Sequence, residues 1–245
     1  MQLHLSTWIE VEDYLSKSKG IVIPIGSTEQ HGPNGIIGTD AVCPEFIAKT
    51  AADEAGFMVG PTFSVGMAQH HLDFPGSMTL RPSTMIAALQ DWIESLARSG
   101  FEKIYFLNGH GGNVTTLNAA FCEYYANWSL AGEPCPISLR QKNWWELNTV
   151  GDVCARLFPV GEGMHATASE VSVTQFAYPD FVKTVEMKPK IAPVAGFRDA
   201  KDYRQNFPDG RIGSDPTQAS VDAGRQIVEA ASAALIKDVS GFFAD

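Results

Sequence analysis

The chain has 245 residues, of which 44% are hydrophobic and 19% are charged, a composition that supports a sizeable core and excludes a disordered or fibrous protein. Its formal net charge of −10 disfavours binding to nucleic acid and to anionic membrane surfaces, and no segment approaches the roughly 18 consecutive apolar residues of a membrane span. The first residues lack the layout of a secretory signal, and four scattered cysteines without a C-x-x-C pair favour reduced thiols, so we expect a cytoplasmic protein.

Strand and helix patterns alternate along the chain, which we interpret as a single domain over residues 1–245. Thr7 and Glu10 fit a capping box for a first helix. Pro24 lies in a strand-like run and counts against a central position in a sheet. Residues 179–214 are rich in proline and predict surface loops. In chain order, the patterns predict strands at 21–25, 57–59, 103–107 and 137–139, and helices at 44–54, at 83–98, from 114, at 166–176 and at 215–237.

Strands that alternate with helices favour parallel pairing, so we predict a layered α/β fold. Ligands of such folds bind beyond the carboxyl ends of the strands. Two polar clusters occupy that position: residues 27–32 follow the strand that ends at Ile25, and residues 108–113 follow the strand that ends at Leu107. A tryptophan pair at 144–145 follows the weakest strand, and we expect it to pack in the core rather than to line a pocket.

The first polar cluster contains Glu29 and His31, with Asp40 nine residues after the histidine. In extended backbone, residues two apart point the same way, so Glu29 and His31 can reach one point. The glycines between His31 and Asp40 allow the chain to turn back toward that point. Carboxylate and imidazole together suit zinc or manganese better than calcium or magnesium. The alternative is a solvated glutamate and histidine in a polar loop.

The second cluster, NGHGGN at 108–113, places His110 at the exit of a buried strand. A histidine there can meet a metal at the edge of the sheet. The same glycine-rich turn can instead present backbone N–H groups to an anion at the start of the following helix, or it can be an ordinary turn. The residues alone leave these alternatives open.

Two further clusters contain histidine. His165 stands at the start of a predicted helix with Glu170 five residues later, so this carboxylate can complete a metal site, or it can simply complement the helix dipole. His70 and His71 are adjacent, and at most one of them can point into a site. The turn at 74–76 fits a pocket wall, although this whole stretch can equally lie behind the site or on the surface.

Together these motifs resemble the creatininase (creatinine amidohydrolase) family over roughly residues 5 to 180. The resemblance implies a three-layer α/β/α sandwich with a mostly parallel central sheet, assembly as a homo-oligomer such as a hexamer, and two divalent metal ions per chain, zinc or manganese. It also implies hydrolysis of non-peptide C–N bonds in small cyclic or formyl amides. The motifs are IPIGSTEQHGP at 23–33 with GTD at 38–40, His71 with FPG at 74–76, NGHGGN at 108–113, and His165 with Glu170.

The resemblance also implies roles for single residues. His165 falls on the catalytic histidine beside the substrate, and Asp40 falls on the ligand that bridges both metals. Creatininases carry a glutamate ligand where this chain has Gly112, so either Glu170 fills that gap or the second metal is weak. We assign Glu170 both as ligand and in catalysis. Ala168 and Asn34 also depart from the family pattern. The metal ligands are then Glu29, His31, Asp40, His110 and Glu170, and the substrate-binding residues are His71, Ser77 and Gly111.

These roles predict an amidohydrolase in which a metal-bound hydroxide attacks an amide carbon and His165 carries a proton to the leaving nitrogen. Three alternatives remain. One is a deformylase of a pyrimidine nucleotide, which needs basic residues such as Arg81, Arg140 or Lys142 near the substrate phosphate. Another is a peptidase that acts on the precursor peptide of a cofactor. The third is a non-catalytic relative that only binds a small ligand.

Overall fold

In this computed structural model, which describes residues 1–244, one sheet of four parallel strands forms the centre of the fold. The strands are β1 (Gly20–Ile25), β2 (Met58–Val59), β3 (Lys103–Asn108) and β4 (Ser138–Asn143). Their order in the sheet is β2-β1-β3-β4. The predicted strands are confirmed, and the last one extends to Asn143, well beyond its predicted end.

Helices cover both faces of the sheet, because the side chains of each strand alternate between two separate apolar cores. The helices of the described chain are α1 (Trp8–Leu15), α2 (Thr39–Ala55), α3 (Pro82–Ser99), α4 (Val114–Ala131), α5 (Val150–Leu157), α6 (Ala168–Ala177), α7 (Ala200–Asn206) and α8 (Val221–Ala244). Val22 and Tyr105 face a core formed with α2, α5, α6 and α8. Ile23 and Phe106 face the opposite core, formed with α1, α3 and α4. The predicted three-layer α/β/α arrangement is therefore confirmed.

None of these described helices combines the length and apolar composition needed to cross a bilayer. The four cysteines are free thiols. At α1 the predicted capping box is present, with the Thr7 hydroxyl accepting from the Glu10 N–H and the Glu10 carboxylate accepting from the Thr7 N–H. A second capping box of the same kind begins α6, at Thr167 and Glu170.

The prediction that Pro24 disfavours a central strand was wrong, because Pro24 lies in β1 between β2 and β3. The carbonyls of Val22 and Pro24 accept hydrogen bonds from the N–H groups of Gly60 and Phe63, both at 2.9 Å. These alternate positions therefore face the β2 side of the strand. Because β2 already ends at Val59, no residue of β2 lies beside Pro24 to accept a backbone hydrogen bond. The N–H that proline lacks is therefore not needed for pairing with β2.

Two other boundaries differ from the prediction. Helix α2 begins at Thr39 rather than near Pro44, so Asp40 lies in its first turn. Asp215 caps a short 3-10 turn at Pro216–Gln218 rather than the last helix, which begins at Val221. Both differences arise because a proline near the start of a helical pattern marks a boundary only to within a few residues.

Residues 179–214 were predicted to form surface loops, and this prediction was wrong in part. The segment contains α7, and Tyr203, Phe207 and Ile212 pack with Phe74 in a third apolar cluster. Arg211 is fully buried and donates hydrogen bonds to the carbonyls of residues 189, 190 and 214. The segment therefore packs against the end of the sheet where the polar clusters lie.

Candidate metal centre and adjoining cavity

The polar clusters converge at the carboxyl edge of the sheet. Glu29 and His31 follow β1, and His110 follows β3. The backbone of Asp40 lies close to Gly26 and Gly109, the first residues after the two strands. A Cβ at either position would collide with the Asp40 carbonyl. Glycine at both positions therefore lets the first turn of α2 pack directly on the ends of β1 and β3.

Asp40 lies between two histidines. Its Oδ1 is 2.8 Å from Nε2 of His31, and its Oδ2 is 2.8 Å from Nδ1 of His110. All three side chains are at most 5% exposed. One carboxylate therefore faces two imidazoles from opposite sides, an arrangement in which it can contribute one oxygen to each of two ions.

The other nitrogen of each histidine is committed to a backbone carbonyl. Nδ1 of His31 lies 3.1 Å from the Glu29 carbonyl, and Nε2 of His110 lies 3.0 Å from the Met67 carbonyl. Because a carbonyl only accepts, both of these nitrogens must donate. Nε2 of His31 and Nδ1 of His110 then remain as ligand atoms directed at the cluster, which is the arrangement common to metal-ligating histidines.

The carboxylate of Glu29 is fully buried, and within residues 1–244 neither of its oxygens makes a hydrogen bond of good geometry. Its Oε1 lies 3.1 Å from Nε2 of His71 and 3.3 Å from Nδ1 of His110. Burial raises the pKa of this carboxyl, although the nearby His110 opposes the shift. An uncompensated buried carboxylate is costly, and a cation at this point would compensate it.

Glu170 reaches the cluster from the first turn of α6. One of its oxygens accepts a hydrogen bond from the Thr167 N–H at 2.5 Å, and the other lies 3.9 Å from Nε2 of His31. Burial raises the pKa of Glu170 to about 7. A Cβ at Gly112 would collide with Nε2 of His110, so no side chain at 112 fits this conformation of the ring. In this chain the second carboxylate beside His31, after that of Asp40, is therefore that of Glu170 in α6.

Among the described residues, three groups of side chains have ligand atoms within 4.8 Å of one another. Two of these groups share Asp40, and their carboxylate and imidazole donors fit zinc or manganese. The site residues present therefore fit a pair of divalent cations. The groups are Glu29 with Asp40 and His110, His31 with Asp40 and Glu170, and Glu29 with His31 and His165.

His165 adjoins the cluster with one nitrogen. Its Nε2 lies 2.8 Å from the Gln30 carbonyl and therefore donates to it, while its Nδ1 lies 3.9 Å from Oε1 of Glu29. Burial, together with the nearby His31 and His71, holds the pKa of His165 well below the usual value. The ring is therefore neutral, with an unprotonated Nδ1 on the side of the cluster.

A cavity of about 400 Å³ opens beside Asp40, His110, His165 and Glu170. Gly111 lines it, as predicted for a substrate-binding residue, whereas His71 and Ser77 are outside its lining. The Ser77 hydroxyl instead accepts a hydrogen bond from the Gln30 N–H at 3.1 Å. Several lining residues were not predicted from the sequence, namely Trp144, Trp145, Cys154, Glu162 and Ser169.

Three of these residues carried a signal in the sequence. The tryptophan pair follows β4 at the same edge of the sheet as the clusters, although we expected it only to pack in the core; Trp144 does both. Glu162 lies three residues before His165, and its carboxylate accepts a hydrogen bond from the Ser169 N–H at 3.2 Å. The signal for the tryptophans is their position after a strand, and the signal for Glu162 is its closeness in sequence to His165.

The basic residues considered for a phosphate-bearing substrate lie elsewhere. No lysine or arginine is found among the described residues that line the cavity. Arg140 lies over the Phe242 ring and pairs with Asp238 at 3.5 Å. Lys142 lines a different cavity, and Arg81 is the exposed N-cap residue of α3.

The fold and the site together define a three-layer α/β protein with a buried carboxylate–histidine centre suited to divalent cations. Residues 4–239 match the family model for creatininase, described as creatinine amidohydrolase. The chain therefore belongs to the creatininase family.

The chain shares about a third or less of its residues with the individual relatives compared below. The chain is 34% identical over 106 residues to the mycofactocin precursor peptide peptidase of Mycolicibacterium smegmatis, a match that covers 41% of this chain and 42% of that protein. It is 26% identical over 186 residues to the creatinine amidohydrolase of Pseudomonas putida, covering 72% of this chain and 71% of that one. A solved structure described as "Creatininase Mn" superposes with a TM-score of 0.87 at 23% identity, covering 100% of this chain and 99% of that one. At that identity the likeness concerns the fold alone.

Proposed function

We propose that this protein is a metal-dependent amidohydrolase that cleaves a C–N bond in a small amide. The observation that carries the proposal is the position of Asp40, with one carboxylate oxygen 2.8 Å from each of two histidines whose other nitrogens bond to backbone carbonyls. Glu29, Asp40 and His110 would hold one cation, and His31, Asp40 and Glu170 the other. The relatives named above are called an amidohydrolase and a peptidase, and one similar structure is described with Mn, which supports this choice.

A bound pair of divalent cations supplies Lewis acidity, which activates water and polarises a carbonyl oxygen. The chain supplies the proton transfer. His165 is held by its Nε2–H on the Gln30 carbonyl, so its neutral Nδ1 can accept a proton near the cluster and deliver it to a leaving nitrogen. The tryptophans of the cavity would exclude water from one side of the substrate.

The cavity also restricts the substrate. Its described lining contains Glu162 and no lysine or arginine, so it disfavours a phosphate and favours a neutral or N–H-rich amide. This argument makes a nucleotide deformylase the weaker alternative. A short peptide remains a second candidate substrate, because the match to the mycofactocin precursor peptide peptidase has a higher identity than the match to the creatinine amidohydrolase.

The test combines metal analysis with two site variants and one control variant. We expect two metal equivalents per wild-type chain and loss of both metal and turnover in His110→Ala. His165→Ala should keep its metal and lose turnover, and His4→Ala, at an exposed position, should behave as wild type. One equivalent or none in the wild type would favour a ligand-binding relative, and loss of metal in His165→Ala would make His165 a ligand.

The substrate class is tested by a screen of the metal-loaded protein against creatinine, hydantoin-like rings, formamides and short peptides. Turnover of cyclic amides or formamides would support the non-peptide assignment. Turnover of peptides alone would replace it with the second candidate, and turnover of none would contradict the proposed function.

A further inference from the structure

The side chain of Gln30 lies between the histidines of the site and the segment 179–214. Its Oε1 accepts a hydrogen bond from the Gly32 N–H at 2.9 Å, and its Nε2 donates to the Gly210 carbonyl at 2.9 Å. A backbone N–H only donates and a carbonyl only accepts, so these two partners fix which end of the amide is oxygen and which is nitrogen.

The fixed amide determines the tautomer of His71. Nε2 of Gln30 lies 2.9 Å from Nδ1 of His71 and 2.9 Å from Nε2 of His165. The His165 nitrogen already donates to the Gln30 carbonyl at 2.8 Å, so it cannot accept from the amide. The second amide hydrogen therefore goes to Nδ1 of His71.

His71 must then carry its proton on Nε2. Because Nδ1 accepts from the Gln30 amide, it carries no proton, and an imidazole with one unprotonated nitrogen is neutral. Its single proton therefore resides on Nε2, which lies 3.1 Å from Oε1 of Glu29. This N–H group lies beside a buried carboxylate whose two oxygens make no hydrogen bond of good geometry with any described residue.

We propose that Gln30 and His71 are positioning residues that hold the Glu29 carboxylate in place as a metal ligand, and that His71 does not contact substrate. The inference rests on the proposed function only in treating Glu29 as a ligand. It differs from the sequence-based prediction that His71 binds substrate. His71 is 1% exposed and lies outside the cavity lining, so a substrate in the cavity does not reach it.

The chain of contacts gives residues 179–214 a part in the site. The Gly210 carbonyl also accepts a hydrogen bond from the Tyr203 hydroxyl at 2.7 Å, which anchors it in the third apolar cluster. Gln30 is therefore oriented by a backbone group that belongs to this packed segment. An N–H group beside Oε1 of Glu29 limits the positions that the carboxylate can take, which is what an outer partner of a metal ligand does.

The first test uses the wild-type protein without metal or substrate. Nitrogen-15 NMR of the histidine side chains distinguishes the two neutral tautomers. We expect His71 to be protonated on Nε2 and to keep Nδ1 unprotonated across the neutral pH range. A proton on Nδ1 of His71 would overturn the inference, whatever reaction the protein catalyses.

The second test measures the Mn²⁺ dissociation constant by competition with a chelator. His71→Leu should weaken Mn²⁺ binding by about 10–100-fold, the usual loss for an outer partner, while the KM of any substrate changes little. His71→Gln, which places an amide N–H near the position of Nε2, should recover most of the affinity. A raised KM with unchanged Mn²⁺ affinity in His71→Leu would make His71 a substrate contact and overturn the proposal.

Gln30→Glu replaces the amide group that donates to His71 with a carboxylate oxygen at constant size. It should therefore weaken Mn²⁺ binding as His71→Leu does. Gln69→Glu is the matched control, because Gln69 is exposed in the 3-10 turn that carries His71. Equal Mn²⁺ affinity in the two Glu variants would contradict the positioning role of Gln30. If the wild type binds Mn²⁺ and these results hold but no amide is turned over, the proposed function fails and the positioning role stands.

Discussion

Helices α1 and α6 begin with the same pattern, a threonine N-cap and a glutamate three residues later. In both, the threonine N–H donates to the glutamate carboxylate, at 2.7 Å in the pair Thr7 and Glu10 and at 2.5 Å in the pair Thr167 and Glu170. The local hydrogen bonds are those of a capping box in each case. What differs is the surroundings: Glu10 is exposed to solvent, whereas Glu170 is 9% exposed and lies beside His31.

The two carboxyls accordingly titrate in opposite directions. The backbone hydrogen bond from Thr7 lowers the pKa of Glu10, whereas burial raises the pKa of Glu170 to about 7. A local motif therefore determines how a helix starts, while the tertiary environment determines whether its glutamate can also serve a metal site. The following variants separate these two roles.

The largest difference is expected between Glu170→Ala and Glu10→Ala. Removing Glu170 deletes a proposed metal ligand, so metal affinity should fall by at least about 100-fold, since losing a ligand costs no less than losing an outer partner. Glu10→Ala should leave metal content and turnover unchanged. Metal analysis of both dialysed variants checks this, and full metal content in Glu170→Ala would remove Glu170 from the ligand set.

Glu170→Gln should separate the ligand from the cap. Glutamine also completes a capping box, so the metal-free variant should be more stable than Glu170→Ala by about 1 kcal/mol. Its neutral amide should nevertheless bind metal as poorly as alanine does. Urea unfolding of the two metal-free variants gives the stability difference, and equal midpoints would show that the cap contributes nothing at α6.

Thr167→Ala and Thr7→Ala remove the other half of each box. Each should lower the free energy of unfolding by roughly 0.5–2 kcal/mol, the usual loss for a threonine cap. Only Thr167→Ala should also weaken metal binding, because the same hydroxyl and N–H hold Glu170 in place. Chelator competition with both variants checks this. An equal effect on metal affinity would contradict the claim that the Thr167 cap holds Glu170 in place for metal binding.

The smallest effect concerns pH and Glu10. Since the folded-state pKa of Glu10 lies below its ordinary value, its charged form stabilises the fold above the ordinary carboxyl pKa, and this contribution disappears as the pH falls through the lowered value. The stability difference between wild type and Glu10→Ala should therefore be larger at pH 7 than at pH 3. Thermal unfolding at both pH values measures it, and a difference that grows toward pH 3 would contradict the shift.

Part of the site was open to prediction because it depends on short-range geometry. Glu29 and His31 are two residues apart after a buried strand, and His110 follows the neighbouring strand, so parallel pairing brings all three to one edge. The capping box at Thr7 was equally local. The start of α2 was not, because the pattern placed it near Pro44 and the carbonyl of Asp40 is accommodated only by glycines at 26 and 109.

The sequence by itself determined the order of strands and helices, the polar ends of β1 and β3 and the residue types of the site, because apolar periodicity and residue chemistry act over a few neighbours. Only the tertiary structure decided that Pro24 lies in an interior strand and that Gln30 joins Gly210 to His71. It also decided which of two identical capping boxes is buried. Long-range packing settles these points, since burial and the partners of a side chain depend on segments far apart in the chain.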